Sequence, residues 1–305
     1  MAVHRPKRSD LRRLQEEIEV SVATLLETLD LEETVDGTYR TRNFDTGERG
    51  FTFGGQLLAQ FIVASARTEQ DKRVKSAHAV FARPVLVEQE AEIAIDTLQS
   101  GRSFASVSAS LSQGGKECSR ALVLLTSEEP DLIRHAAEMP DVPTPEDLES
   151  EPSGANWATS ENVRIIGDVD ILDTDCIGDP GMQVWMRWPD AGEDPAVAQG
   201  LLTHGSAGFL IGCALRPHPG VGQSAAHVEF STGIIAHSVS FHELFDARDW
   251  LLYSQRSTYS GRGRAYGIGE VFTRSGQLVA GFSQESMIRH FPKGVSSAGR
   301  ENTVL

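Results

Sequence analysis

The chain has 305 residues, 40% of them hydrophobic and 23% charged, with a formal net charge of −15. That length holds one large domain or two of ordinary size, and that balance excludes an intrinsically disordered chain. The acidic charge argues against a general nucleic-acid binder, and no apolar run approaches the roughly 20 residues needed to span a bilayer.

In chain order, residues 1–17 (MAVHRPKRSDLRRLQEE) are basic but carry no apolar signal core, so a cytoplasmic location without membrane attachment is expected. Residues 20–31 place apolar side chains at helical spacing and predict a short amphipathic helix. Residues 39–53 read as strand and loop, and residues 53–66 (FGGQLLAQFIVASA) as an apolar helix opened by a Gly pair. Strand-like runs follow at 76–83, 90–99, 103–112 and 117–125. Residues 127–160 carry Pro130, Pro140, Pro143, Pro145 and Pro152 among many acidic residues, the composition of a linker.

The pattern then returns. Residues 182–188 alternate like a strand, and 195–215 read as one long helix ended by Arg216-Pro217. Strands are expected at 227–235, 239–241, 250–259, 264–273 and 277–289. Helix-then-strands thus occurs twice, predicting an α+β protein of two tandem modules, each with a long helix against an antiparallel sheet. The expected divisions are a basic tail (1–19), an N-terminal module (20–126), a linker (127–165), a C-terminal module (166–292) and a short tail (293–305). Cys118, Cys176 and Cys213 show no CxxC or Cys/His spacing, so they read as thiols in a reducing compartment, with no metal site.

Short fragments in order carry a resemblance. The N-terminal half has Phe53-Gly54-Gly55-Gln56, His78 with Phe81-x-Arg83-Pro84, and Ser100-Gly101-Arg102-Ser103-Phe104. The C-terminal half has 183–187 (QVWMR), 204–210 (HGSAGFL), 233–242 (GIIAHSVSFH) and 279–289 (VAGFSQESMIR). Over residues 25 to 291 the chain resembles the type II acyl-CoA thioesterases. That resemblance implies a double hotdog fold and hydrolysis of an acyl thioester by activated water, without metal or organic cofactor. It also implies a site built from an Asp, a Ser or Thr, and a Gln.

Here the Gln is Gln284, the Asp position reads Ala207, and the Ser/Thr position reads Ile234. The flanks from Gly205 to His218 align without a gap, so no Asp can be shifted into place. Ala236 also replaces an acidic residue common before the His-Ser pair. Thr232, two residues from Ile234 and on the same face of a regular strand, and Ser206, beside Ala207, are the hydroxyls that could substitute. Each also has an ordinary role available, as a strand residue or a helix cap.

Other chemistry fits less well. His204-Gly205-Ser206-Ala207-Gly208 fails as a nucleophile elbow at its first position. His204 and His78 could serve a thioester hydratase or isomerase, although neither stands in the Asp-x4-His arrangement such enzymes use. Coenzyme A is a polyanion, and Arg256, Arg262 and Arg264, interleaved with Gly261 and Gly263, are the best cationic cluster to meet it. The expectation is a slow or altered thioester hydrolase acting on acyl-CoA or an acyl-carrier thioester, and forming a homo-oligomer. The alternative is a non-catalytic thioester binder or assembly subunit.

Overall fold

Alternation of apolar and polar residues makes a sheet with one buried face, and both halves of the chain show it. In β3 (Arg73–Phe81), Val74, Ala77, Ala79 and Phe81 are buried while His78 and Val80 face outward. The computed structural model describes residues 25–35, 37–44, 50–148, 162–171, 173–227 and 229–291. Its other strands are β1 (Glu32–Val35), β2 (Thr38–Thr41), β4 (Ala91–Ser100), β5 (Phe104–Gln113) and β6 (Lys116–Thr126). The second half adds β7 (Val163–Ile165), β8 (Gly181–Met186), β9 (Phe230–Phe241), β10 (Leu251–Gly261), β11 (Arg264–Thr273) and β12 (Leu278–His290).

All twelve form one sheet in the order β1-β2-β4-β5-β6-β3-β9-β12-β11-β10-β8-β7. Each half contributes six neighbouring strands, and the halves join where β3 pairs antiparallel with β9. His78 opposite Ser238 is the middle pair of that seam. The two sides mirror each other down to a register irregularity, between Val74 and Ser76 on β3 and opposite Glu285/Ser286 on β9.

Helix α1 (Gly54–Ala66) and helix α2 (Pro195–Ser206) lie together on the inner face of the sheet. Every residue of α1 from Gly55 to Ser65 is buried, as a helix wedged between a sheet and a second helix requires. Small inner-face side chains leave room for it: Ala79, Ala121 and Ala109 form one row across β3, β6 and β5. This is the double hotdog architecture, in the α+β class.

Several local expectations change. The helix expected over 195–215 breaks into α2 and a short α3 (Leu210–Leu215), with 3₁₀-type bonds from Ala207 N to His204 O and from Gly208 N to Gly205 O. The strands expected at 227–235 and 239–241 are one strand, β9, bulged at Ile235. Of the helix expected over 20–31, residues 25–29 are helical and 20–24 lie outside the described residues. Both expected tails, 1–19 and 293–305, also lie outside them. The stretch expected as linker contributes β7 and packs Met139, Val142 and Leu148 over Trp185, Trp250 and Phe272. The indole of Trp185 donates to Pro143 O at 3.0 Å.

Candidate active site

The break between α2 and α3 brings three positions together at the first turn of α1. Ala207 caps α2 and is 2% exposed. A β-carbon built on Gly55 would stand 2.9 Å from Ala207 Cβ and 3.1 Å from His204 O. One built on Gly54 would stand 3.6 Å from Ile234 Cβ. The positions expected to hold the Asp and the Ser/Thr therefore converge on Gly54 and Gly55. Phe53 gives α1 no side-chain cap, and no acidic residue occupies its first turn. The first amides of a helix lack intrahelical acceptors, so this end can meet a developing negative charge.

Gln284 lies beside this cluster. It is 1% exposed and pairs with Gly267 on β11 and His237 on β9, while Ser286, two residues on, pairs with Ile234. Gly267 has no room for a side chain, because Leu210 of α3 would approach its β-carbon to 2.6 Å. The neighbours of Gln284 form a buried chain of hydrogen bonds. Gln284 Oε1 is 3.1 Å from His237 Nδ1, and Gln284 Nε2 donates to Ser286 Oγ at 3.0 Å. His237 Nε2 lies 2.8 Å from Ser206 Oγ, and Ser206 donates to Thr203 O at 2.7 Å. Burial pushes the pKa of His237 down to about 4, so its ring is neutral at pH 7.

Ser206 and Gln284 are thus linked through His237, a residue to which the sequence alone assigned no role. His204 stands nearby on α2, edge-on to Phe53 with ring centroids 5.3 Å apart, and burial pushes its pKa down to about 4 as well. Thr232 is not brought in. It is four strand pairs beyond Gln284, on the row of Ile288, and its hydroxyl lies 3.0 Å from His227 Nε2. His78 stands on the outer face of the sheet, its Nδ1 2.6 Å from Ser238 Oγ.

Arg256, Arg262 and Arg264 lie on and beside the β10–β11 hairpin. Arg262 and Gly263 form its tip with φ of 54° and 73°. Positive φ at both central residues is the two-residue turn that fits strand twist, so Gly263 answers a backbone requirement. Arg264 pairs with Met287, which in turn pairs with Gly233, so the hairpin flanks the row next to Ile234. Among the described residues no group of three His, Cys, Asp or Glu side chains is placed to hold a metal.

The fold and the seam define a double hotdog protein, and comparison with known proteins gives its family. The acyl-CoA thioesterase N-terminal domain model matches residues 44–126, and the C-terminal domain model matches residues 136–288. The chain belongs to the acyl-CoA thioesterase II family of hydrolases. It is 28% identical to acyl-CoA thioesterase 2 of Haemophilus influenzae, over 87% of this chain and 96% of that protein. It is 26% identical to acyl-coenzyme A thioesterase 8 of Mus musculus, over 87% and 88% of the two chains. The crystal structure of an acyl-CoA thioesterase II from Mycobacterium marinum superposes with a TM-score of 0.73 at 28% identity, covering 88% of this chain and 99% of that one. A hot dog fold protein of Alicyclobacillus acidocaldarius superposes at 0.72 with 20% identity, a likeness of fold.

Proposed function

We propose that this chain hydrolyses acyl-CoA thioesters with water, slowly or with altered specificity, from a site in which Gln284 is the surviving polar side chain. The observation that carries the reading is the convergence of Ala207, Ile234, Gln284 and the uncapped first turn of α1. Water attacks the thioester carbonyl, the amides of Gly54 and Gly55 meet the oxyanion, and the thiolate departs with the proton the water loses. Gln284 orients the water through its carboxamide. Ser206 acts at one remove, through His237. The guanidinium groups of Arg256, Arg262 and Arg264 give an acidic protein local positive charge for the phosphates of coenzyme A.

The missing groups set the expected rate. A positioned general base contributes about 10²–10⁴-fold and one oxyanion donor about 10²–10³-fold. Without the base but with the donors, hydrolysis persists at a reduced rate, as it does when hydrolytic triads are dismantled. A second reading, thioester binding without turnover, is favoured by one observation: among the described residues, no carboxylate is a hydrogen-bond partner of Ser206, His237 or Gln284. Thiol release by wild type and Gln284→Ala separates the two.

The reading places the protein in the cytoplasm and includes self-association. A groove of about 690 Å³ on the outer face of the sheet spans the seam, lined by His78, Leu98, Leu122, Leu124 and Ser238 among others. Leu98 and Leu122 are each 57% exposed, and among the described residues no Asp, Glu, Lys or Arg lines the groove. On a chain of net charge −15, an uncharged apolar strip is where two like-charged copies can meet without repulsion.

A further inference from the structure

The protons of the buried chain from Thr203 to Ser286 do not add up for a neutral imidazole as the atoms stand. Thr203 O can only accept, so at 2.7 Å it takes the single hydroxyl proton of Ser206. His237 Nε2, 2.8 Å from the same Oγ, must then carry a proton and donate. Gln284 Oε1, 3.1 Å from Nδ1, asks for a second ring proton, while Gln284 Nε2 points away from the ring and donates to Ser286. Only a doubly protonated ring satisfies all four contacts.

The surroundings of His237 oppose that charge. The ring is 1% exposed, lies nearly parallel to Phe282 with centroids 6.0 Å apart, and among the described residues has no carboxylate hydrogen-bond partner. The Coulombic influence of nearby His78 acts in the same direction, lowering the pKa of His237 after burial itself. A half-turn of the Gln284 carboxamide removes the conflict. Its nitrogen then donates to the bare Nδ1, and its oxygen accepts from the Ser286 hydroxyl. The two ends of a carboxamide have nearly the same size, so the packing is unchanged.

We propose that His237 is a positioning residue: its neutral Nε2–H form locks the Gln284 carboxamide with nitrogen toward His237 and oxygen toward Ser286. A carboxamide of fixed direction offers a water one kind of partner at one place, whereas one that turns over does not hold it in a single orientation. With Ala207 and Ile234 unable to bind water, that fixed direction is what the site has left. The kinetic consequence rests on the hydrolase reading; the structural claim does not.

Two measurements on the 305-residue chain test it. In 15N-histidine spectra at pH 7, the His237 signal, identified by its loss in His237→Asn, is expected to be the neutral Nε2–H tautomer. A Nδ1–H tautomer or a doubly protonated ring overturns the proposal, whether or not the protein turns over substrate. In the kinetic arm, Asn places an amide near Nδ1 and keeps the link to Gln284, whereas Gln places one near Nε2 and keeps only the link to Ser206. His237→Asn is expected to hold kcat within about tenfold, the cost of one weakened hydrogen bond. His237→Gln is expected to lose as much kcat as Gln284→Ala, with KM unchanged in both. Equal losses in the two variants would make His237 a packing residue and overturn the proposal.

Discussion

Gly55 at the start of α1 and Ala207 at the end of α2 are so close that a β-carbon on Gly55 would stand 2.9 Å from that of Ala207. The two helices of the tandem modules run antiparallel side by side, and the start of α1 meets the end of α2 at the point where the family's carboxylate would lie. A carboxylate at 207 would sit against the first amides of α1, where the helix dipole favours negative charge.

That contact makes Gly55 and Gly54 behave differently. Replacing a helical Gly by Ala ordinarily stabilises by about 1 kcal/mol. Gly55→Ala meets Phe53 at 2.6 Å, Ala207 at 2.9 Å and the His204 carbonyl at 3.1 Å, so overpacking outweighs the gain. A net loss of about 1–3 kcal/mol is expected. Gly54→Ala comes no nearer than 3.3 Å to Phe81 and changes stability little. Urea unfolding of both variants measures the difference.

Restoring the missing groups should restore rate. Ala207→Asp with Ile234→Thr puts a carboxylate and a hydroxyl beside Gly54, Gly55 and Gln284. An increase of about 10²-fold or more in kcat/KM is expected, the scale of a positioned general base. Ile234 is half-buried, so some stability is lost with it. No gain in a folded double variant would mean that the pocket has diverged beyond these two positions.

Acid should destabilise the fold before the carboxylates titrate. His204 and His237 are buried neutral, with pKa values pushed from 6.5 down to about 4. The unfolded chain binds these protons more readily, so their contribution is fully present above pH 6.5 and is lost as pH falls toward 4. Each contributes at most about 3 kcal/mol by linkage. Unfolding free energy measured from pH 7 to 4 should fall steadily, and a flat profile would contradict the burial of neutral rings.

The outer face gives a further prediction. Leu98→Glu with Leu122→Glu adds two charges to the exposed strip across β4 and β6 without touching the inner face. Wild type is expected to scatter light as a dimer or larger, and the variant as a monomer with unchanged thermal unfolding. Monomeric wild type would remove self-association from the account.

Much of this was legible in the sequence. The tandem helix-then-strands order and the Gly pair opening α1 follow from local pattern, whereas Gln284 enters as a candidate only through the family resemblance. What the sequence concealed depends on register and close approach. The irregularity at Ile235 turns His237 into the row of Gln284, and no local signal marks a β-bulge in GIIAHSVS. For the same strand, Thr232 shares the face of Ile234 as expected, yet its hydroxyl is taken up by His227. The break at Ala207 follows from the tight turn through Gly205 and Gly208, within an apolar run that reads as one helix. The glycines beside Arg262 read as a phosphate approach, and Gly263 proves to be half of a two-residue turn.

The central claim, that Gln284 still supports hydrolysis, is met most directly by measuring free thiol released from short-, medium- and long-chain acyl-CoAs. Wild type is expected to turn over at least one chain length. Gln284→Ala, folded as wild type, should lose about 10²-fold in kcat, the scale of one lost polar contact to the reacting groups. Equal background release from both proteins would contradict the account and leave a thioester-binding protein in its place.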